Sequence, residues 1–295
     1  MGRPDLLVID LDGTLLDRGG RVSPENIAGL RRAEAESLPF VIATGRTRSE
    51  CGHILDAIGY GGPLISASGS MLVEAEDGRT LDRRTLPTSI VEQAVGHVDA
   101  GRAAAMILKD RHDTGVDYII AGTVDLHPVS DWWFRATGAT YRRVDRIEDD
   151  PFPDHSVRVG AVGGATEFSP TIAELERSMG ESILARHWEA VTSSEHAGEP
   201  IHLLEVFHPE ADKWTMVQSC CRLRGWDSAR AAAVGDGLND VVLIERCGLG
   251  VAVENAHHEV LAVADAVTDP HDEHGVASLI DDILDGRLLL GGARR

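Results

Sequence analysis

Residues 6–14 read Leu-Leu-Val-Ile-Asp-Leu-Asp-Gly-Thr, an apolar run followed at once by two carboxylates. The apolar part predicts a buried β-strand, and Asp10 and Asp12 then stand at its end. Burying two ionised carboxylates together is costly and raises the pKa of each, so such a site needs a cation. Gly13 fits a tight turn in which backbone N–H groups approach an anion. On this segment alone the alternative, aspartates that only cap a turn, stays open.

Strand signals recur along the first part of the chain. Residues 6–10, 39–44 and 63–67 read as strands, with helical segments between them. This alternation predicts βαβ units and a mainly parallel sheet. Functional residues of such sheets lie at the carboxyl ends of the strands. Asp10 and Thr44 both fall at such ends.

Two helix starts can be read directly. Ser23 precedes Pro24, and a proline is well tolerated at the first helical position. Thr47 is followed three residues later by Glu50, the spacing of a capping box. We therefore expect helices to begin near residues 24 and 48.

The rhythm of the sequence changes in its middle third. After a hairpin predicted around Asp77-Gly78, paired strands with intervening helices replace the alternation, which resumes from Ala211. The pattern predicts an α/β fold: a Rossmann-like parallel-sheet core built from residues 1–83 and 208–295, with an α+β domain inserted over residues 84–207.

A second acidic group follows another strand. The run Ala231–Val234 leads into Gly-Asp-Gly-Leu-Asn-Asp over residues 235–240. With the first pair of aspartates, Asp236 and Asp240 form a set of hard oxygen ligands, which suits Mg²⁺ better than Zn²⁺. Helix capping is again the alternative, although two such clusters at strand ends seldom arise from capping alone.

Charge and composition restrict the partners. The formal net charge is −20, which argues against binding nucleic acid or an anionic membrane surface. The same field repels an anionic ligand such as a phosphate, so its attraction has to come from a metal and a few local positive groups. Lys109 and Lys213 are the only lysines among 28 basic residues. Because lysine is so rare in this sequence, either lysine is a candidate for a functional role.

Several signals of other sites are absent. The sequence has no apolar run of the roughly 20 residues that span a bilayer, and no signal-peptide pattern, so we expect a cytoplasmic protein. It has no GxGxxG or GxxxxGK[ST] motif for nucleotide binding. The four cysteines lack metal-binding spacing and are expected to be reduced, buried thiols.

Two remaining clusters have ordinary explanations. His257-His258 and His271–His274 suggest a transition-metal site, but surface histidines on acidic helices are far more common. Trp132-Trp133 is a stacking platform or, more often for such pairs, hydrophobic packing.

Four groups of residues resemble, in order, motifs one to four of the haloacid dehalogenase superfamily: Asp10-Leu11-Asp12-Gly13-Thr14, Thr44-Gly45-Arg46, Lys213, and Gly235-Asp236-Gly237-Leu238-Asn239-Asp240. The insertion between motifs two and three resembles the C2-type cap of the Cof-like branch, subfamily IIB. Residues 254–276 are similar to the C-terminal segment of that branch. The resemblance runs through the whole chain.

The resemblance implies an enzyme, a Mg²⁺-dependent phosphatase that hydrolyses a small phosphorylated metabolite such as a sugar phosphate. Asp10 would be the nucleophile that forms an aspartyl-phosphate, and Asp12 the general acid and base. The Thr44 hydroxyl and Lys213 would donate hydrogen bonds to the phosphoryl oxygens.

The remaining implied roles concern binding. The backbone near Gly13 and Gly45 would contact the phosphate, and Arg46 and Asn239 would lie against it or behind it. The implied metal ligands are Asp10, the backbone carbonyl of Asp12, and Asp236, with Asp240 binding the metal or lying just outside its ligands.

Two other functions remain open. A phosphomutase or phosphotransferase would pass the phosphoryl group from the same aspartyl-phosphate to a sugar hydroxyl, and a non-catalytic protein would sense Mg²⁺ or a phosphometabolite. Two positions depart from the branch: Trp214 follows Lys213 where glycine is usual, and Ser68 stands where an asparagine precedes Gly69. Both put substrate preference in question rather than mechanism. The sequence indicates no oligomeric state.

Overall fold

The fold was analysed in a computed structural model that describes residues 2–189 and 201–291. The chain divides into two compact units, Met1–Asp82 with Asp212–Arg295, and Arg83–Ala211. The first unit is formed by both ends of the chain and contains the motif residues. The second is continuous in sequence.

The strands of the described residues are, in chain order, β1 (Leu6–Ile9), β2 (Phe40–Ala43), β3 (Pro63–Ser66), β4 (Met71–Glu74), β5 (Thr80–Arg83), β6 (Ala105–Lys109), β7 (Tyr118–Ala121), β8 (Tyr141–Val144), β9 (Ser156–Gly164), β10 (Leu184–Glu189), β11 (Ile201–Phe207), β12 (Ala231–Gly235), β13 (Leu249–Val253) and β14 (Ala266–Thr268). The α-helices are α1 (Pro24–Ala35), α2 (Arg48–Ile58), α3 (Thr88–Ala100), α4 (Arg111–Thr114), α5 (Pro128–Thr137), α6 (Ala165–Met179), α7 (Lys213–Arg224), α8 (Val241–Arg246), α9 (His258–Val263) and α10 (Gly275–Leu284).

The first unit is built on a sheet with the strand order β14-β13-β12-β1-β2-β3-β4-β5. The strands from β14 to β3 pair in parallel, and β4 pairs with β3 in the antiparallel direction. Strands β1, β2, β12 and β13 are buried along their whole length, because helices cover both faces of a parallel sheet. The predicted α/β fold with a parallel-sheet core is confirmed.

Strands β1 and β12 lie side by side at the centre of this sheet. Leu6 pairs with Ala231 and Ile9 with Val234, so both strands end at the same level. The loops that follow them carry the two acidic groups of the sequence. The register of one strand pair therefore brings together residues more than 220 positions apart.

Both predicted helix starts are confirmed. The Ser23 hydroxyl accepts a hydrogen bond from the Asn26 N–H at 3.1 Å, at the start of α1. Thr47 Oγ1 accepts from the Glu50 N–H at 3.2 Å, and Glu50 Oε2 accepts from the Thr47 N–H at 2.8 Å. The capping box fixes where α2 begins, directly after the second motif.

The second unit is built on a sheet with the order β10-β11-β9-β6-β7-β8, antiparallel except between β7 and β8. Helices α3 and α6 pack on its apolar face. Lys109 is buried in this unit, where its Nζ contacts Asp150 and donates to Ser156 Oγ at 2.7 Å. One of the two lysines thus has a structural ion pair.

The structure also bears on the predictions for the cysteines, the tryptophan pair and membrane-spanning segments. The four cysteines are free and buried, as predicted. Trp132 and Trp133 are half-buried, with ring centroids 6.0 Å apart, so the expected hydrophobic packing of this pair stays a prediction. Within the described residues, no helix has both the length and the apolar character needed to cross a membrane.

Candidate active site

The loop after β1 delivers the first aspartate to the centre of the sheet edge. Asp10 is extended, and its N–H donates to the carbonyl oxygen of Val234 on β12 at 3.1 Å. Gly13 has a φ of 73°, and a Cβ there would stand 2.2 Å from Asp236 Oδ2. Thr14 Oγ1 donates to Asp236 Oδ1 at 3.2 Å. Only glycine allows the first loop to approach the second acidic loop this closely.

Three carboxyl groups form the centre of the site, of which Asp10 and Asp240 are buried and Asp236 is half-buried. Asp10, Asp236 and Asp240 each offer one oxygen, and these oxygens lie within 4.8 Å of one another. Lys213, at the start of α7, is fully buried beside them. Its Nζ donates to Asp10 Oδ1 at 2.5 Å and to Asp240 Oδ1 at 2.6 Å. The sheet therefore brings together four of the residues that the sequence singled out.

The electrostatics of this centre show an excess of negative charge. Burial, followed by repulsion from Asp240, raises the pKa of Asp236 to about 7. Burial also raises the pKa of Asp10 well above its usual range, although Lys213 opposes the shift. Burial lowers the pKa of Lys213, but Asp10 and Asp240 outweigh it and keep this pKa above its usual value. One ammonium group does not balance three carboxylates.

The donor set fits a hard divalent cation. Asp10 and Asp236 present carboxylate oxygens only, and a bound cation would offset both the burial and the repulsion that raise their pKa values. All the potential ligands are oxygen atoms, which favours Mg²⁺ over a transition metal.

Asp240 is engaged by its neighbours on all sides. Its Oδ2 accepts from the backbone N–H groups of Asp236 at 3.2 Å and Gly237 at 3.0 Å, while Oδ1 accepts from Lys213. A Cβ on Gly235 would stand 2.5 Å from its Cγ. Asp240 therefore shapes the loop after β12 and orients both Asp236 and the lysine.

Asp12 lies apart from the cluster formed by Asp10, Asp236 and Asp240. Its side chain is 41% exposed and forms a bidentate ion pair with Arg46, in which Nε donates to Oδ2 at 2.8 Å and Nη2 to Oδ1 at 2.5 Å. The Arg46 backbone N–H donates to Thr44 Oγ1 at 3.1 Å. The second motif thus holds the Asp12 carboxylate at the solvent side of the site.

Gly45 is the point at which the second and fourth motifs meet. A Cβ on Gly45 would stand 3.8 Å from Asn239 Nδ2 and 3.4 Å from Ser68 Oγ. Thr44 is buried directly before it. Of the two departures from the family pattern, Ser68 therefore lies beside a motif residue, and Trp214 is buried in the first turn of α7.

Two residues that had no individual role in the sequence-based predictions support the site. Thr14 contacts Asp236, and Asn255 Nδ2 donates to the carbonyl oxygen of Gly13 at 2.9 Å. Asn255 belongs to the C-terminal segment noted for its resemblance, but nothing in the sequence indicated which loop it supports.

The histidine clusters differ from each other. His271 Nδ1 lies 2.7 Å from the carbonyl oxygen of Leu16, and His274 Nδ1 lies 2.9 Å from Ser23 Oγ. His257, His258 and Glu259 are exposed and have ligand atoms within 4.8 Å of one another. Among residues 2–189 and 201–291, only this trio and the cluster of Asp10, Asp236 and Asp240 bring three potential metal-ligand atoms so close together.

Comparison with known proteins decides the family. The model of haloacid dehalogenase-like hydrolases matches residues 7–280. The chain belongs to this family. The resemblance found in its motifs is thereby confirmed.

Two relatives from Bacillus subtilis match this haloacid dehalogenase-like hydrolase over nearly their whole length. Phosphatase YwpJ of Bacillus subtilis is 26% identical over 95% of this chain and 99% of its own. The 5-amino-6-(5-phospho-D-ribitylamino)uracil phosphatase YcsE of the same organism is 26% identical over 93% and 94%. A crystal structure of a haloacid dehalogenase-like hydrolase from Bacteroides thetaiotaomicron superposes with a TM-score of 0.78 at 24% identity, covering 95% of this chain and 100% of that one. The prediction of an enzyme, a phosphatase of this superfamily, is confirmed.

Proposed function

We propose that this protein is a Mg²⁺-dependent phosphatase that hydrolyses a small phosphorylated metabolite, a sugar phosphate or a similar phosphomonoester, through an aspartyl-phosphate. One observation carries the proposal: the Asp10 carboxylate is buried at the end of β1, bonded to Lys213 and next to Asp236. The names of the relatives, one of which specifies a phosphorylated ribitylamino-uracil, support a phosphate ester of a small molecule.

Asp10 is the nucleophile in this mechanism. One of its oxygens attacks phosphorus in line with the leaving oxygen, so an acyl-phosphate bond forms while the bond from phosphorus to the leaving group breaks. Lys213 stays bonded to Asp10 and orients the attacking carboxylate. The donors around Thr44 and Gly45 face the phosphoryl oxygens.

Asp12 moves the protons. In its protonated form, with one of the two Arg46 hydrogen bonds released, its carboxyl group gives a proton to the leaving oxygen in the first step. In the second step it takes a proton from the water that attacks phosphorus, and the acyl-phosphate bond breaks to restore Asp10. Arg46 holds the Asp12 side chain in place between the steps.

Asp10, Asp236 and the backbone carbonyl of Asp12 would hold the Mg²⁺ ion. When bound, the ion neutralises the carboxylates and the negative charge that develops on the phosphoryl oxygens. Asp240 would lie just outside the ligands, because Lys213 and two backbone N–H groups already occupy its oxygens.

The inserted unit is proposed as the C2-type cap that selects the organic part of the substrate. The compact unit spans Arg83–Ala211, whereas the sequence predicted residues 84–207 for the cap, so the two ranges differ by one residue at the first end and by four at the second. A cap of this size favours small substrates over macromolecules.

The direct test is a screen of phosphorylated metabolites with Mg²⁺ that measures phosphate release. We expect release from small phosphomonoesters without any acceptor, loss of release after exhaustive EDTA treatment, and recovery when Mg²⁺ is restored. Transfer to a sugar hydroxyl without release would instead indicate a phosphomutase or phosphotransferase. Undiminished turnover in EDTA would refute the metal assignment.

A further inference from the structure

The turn that follows β3 has an unusual backbone. Its residues, Ala67–Gly69, have φ angles of 50°, 56° and 93°. The left-handed region is unfavourable for alanine and serine, and strain of this kind persists where the surroundings impose it. Two N–H groups of the turn donate to the carbonyl oxygens of Arg46 at 3.0 Å and Thr44 at 3.1 Å. The turn is thus bonded to the second motif on both sides of Gly45.

Ser68 has a buried hydroxyl group without a partner. The residue is 4% exposed, and none of the described residues gives its Oγ a hydrogen bond. Buried hydroxyl groups are normally hydrogen-bonded, because an unpaired one loses its interaction with water and gains nothing in return. Ser68 therefore combines two unfavourable contributions to stability, a strained backbone conformation and a buried hydroxyl group without a hydrogen bond. Both become understandable if the hydroxyl acts on a ligand.

Gly45 leaves a small open space beside the Ser68 hydroxyl, and its own backbone conformation does not require a glycine. Gly45 does not have a positive φ, so its conformation does not require glycine. A Cβ at this position would stand 3.4 Å from Ser68 Oγ and 3.8 Å from Asn239 Nδ2. The missing side chain therefore leaves a small space that two polar groups face. A hydroxyl and an amide can both donate hydrogen bonds.

We infer that Ser68 is a substrate-binding residue whose hydroxyl donates a hydrogen bond to a phosphoryl oxygen held over Gly45. The inference rests on the proposed function, because it takes the ligand to be a phosphate ester. A phosphoryl oxygen accepts several hydrogen bonds at once, and donors that carry no charge leave the charge balance at Asp10 and Lys213 unchanged. Ser68 does not take part in the bond changes. It restrains the group on which Asp10 acts.

The chain provides a matched control. Ser70 lies two residues further along, is fully buried, and has an Oγ that also lacks a partner among the described residues. It is not within 4 Å of the space over Gly45. Ser68→Ala and Ser70→Ala each remove one unsatisfied buried hydroxyl, but only the first removes a donor from the proposed phosphate site.

The experiment measures binding of inorganic phosphate to the full-length protein in Mg²⁺ by calorimetry, together with thermal melting. For Ser68→Ala we expect about tenfold weaker phosphate binding, the effect of losing one hydrogen bond to a charged group, with a melting temperature at or above that of the wild type. For Ser70→Ala we expect the same direction of change in melting temperature and unchanged phosphate binding. Gly45→Ala, which fills the space, should weaken phosphate binding at least as strongly as Ser68→Ala.

Three results would overturn the inference: phosphate binding that Ser68→Ala leaves within twofold of the wild type, equal weakening by Ser70→Ala, or a wild-type protein that does not bind phosphate. Failure of the proposed function would look different. A wild-type protein that binds phosphate but releases none from any phosphomonoester would refute the phosphatase, while the comparison of the two serines would still be measurable.

Discussion

Lys213 is the residue on which the charge balance of the site depends. It is fully buried and bonded to both Asp10 and Asp240, so it compensates two carboxylates that have no access to bulk water. Removing one partner of a buried ion pair leaves an uncompensated charge, which costs more than the pair itself contributes. In the proposed mechanism the same lysine orients the nucleophile, Asp10. Stability and catalysis are therefore coupled at this position.

Replacement of Lys213 tests this coupling. In Mg²⁺-free buffer, Lys213→Met should lower the free energy of unfolding by about 3–5 kcal/mol, because Asp10 and Asp240 lose their counter-charge. Phosphatase activity in saturating Mg²⁺ should fall to background. The measurements are denaturant unfolding and phosphate release.

Lys109→Met is the control, since Lys109 is the other lysine of the chain and is buried against Asp150 in the second unit. It should destabilise that unit while leaving turnover within a few-fold of the wild type. Full activity of Lys213→Met would contradict the role assigned to Lys213.

The sequence predicted which residues meet in the site better than it predicted the hydrogen bonds between them. Strand-end logic brought Asp10, Asp236 and Asp240 together, because parallel strands end at one edge of the sheet. It did not predict that Asp12 pairs with Arg46, or that Asp240 accepts from two backbone N–H groups. Those contacts depend on turn conformations, such as the positive φ of Gly13, which no periodicity encodes.

At the scale of elements, the turn after β3 is packed directly against the start of α7. Gly69 has a φ of 93°, and a Cβ there would stand 2.2 Å from the backbone carbon of Asp212 and 2.5 Å from the nitrogen of Lys213. This close backbone approach fixes the position of the first turn of α7 relative to the turn after β3. It therefore also fixes how far the Lys213 side chain reaches towards Asp10.

Gly69→Ala should accordingly displace the start of α7. We expect a loss of several kcal/mol in unfolding free energy and a large loss of activity, because both conformational strain and a backbone clash oppose the substitution. The control is Gly59→Ala at the end of α2, where φ is 70° but no atom lies within 4 Å. That change carries only the conformational cost of about 1–2 kcal/mol. Equal effects of the two substitutions on stability and activity would show that the clash at Gly69 is accommodated.

Helix starts were predictable because their signal is local. Thr47 and Glu50 satisfy each other within four residues, so the sequence contains the whole interaction. The strained turn at Ser68 was not predictable as a strained turn, since its partners are the carbonyl oxygens of Thr44 and Arg46 on another loop. Only its departure from the family pattern marked it.

At the scale of the molecule, the net charge of −20 is the dominant long-range property. A field of this sign repels an anionic substrate, and dissolved salt screens it over about 10 Å at 0.1 M. The value of kcat/KM for a dianionic phosphomonoester should therefore rise as NaCl increases from low concentration, at fixed free Mg²⁺. The check is initial-rate kinetics at several salt concentrations, with a neutral osmolyte as control. A decrease with salt would mean that local positive charge at the site dominates the approach of the substrate.

The parallel pairing in the first unit was accessible to sequence reasoning for a general reason, whereas its strand order was not predicted. Alternating strands and helices can form a parallel sheet in few ways, and β1 and β12 then become neighbours although they lie at opposite ends of the chain. The partner of each buried charge in the second unit was not accessible. The ion pair between Lys109 and Asp150 joins residues whose proximity follows from packing rather than from any motif.

The proposed mechanism requires that Asp10 becomes covalently phosphorylated during turnover. The direct measurement is acid quenching of the enzyme in the steady state with its best phosphomonoester and Mg²⁺, followed by borohydride reduction and mass spectrometry of the peptide around residue 10. Reduction converts an aspartyl-phosphate to homoserine, so we expect this mass change at Asp10, and its absence in Asp10→Asn, which should also release no phosphate. Steady phosphate release with no modification at Asp10, or with the modification at another carboxylate, would rule out Asp10 as the nucleophile.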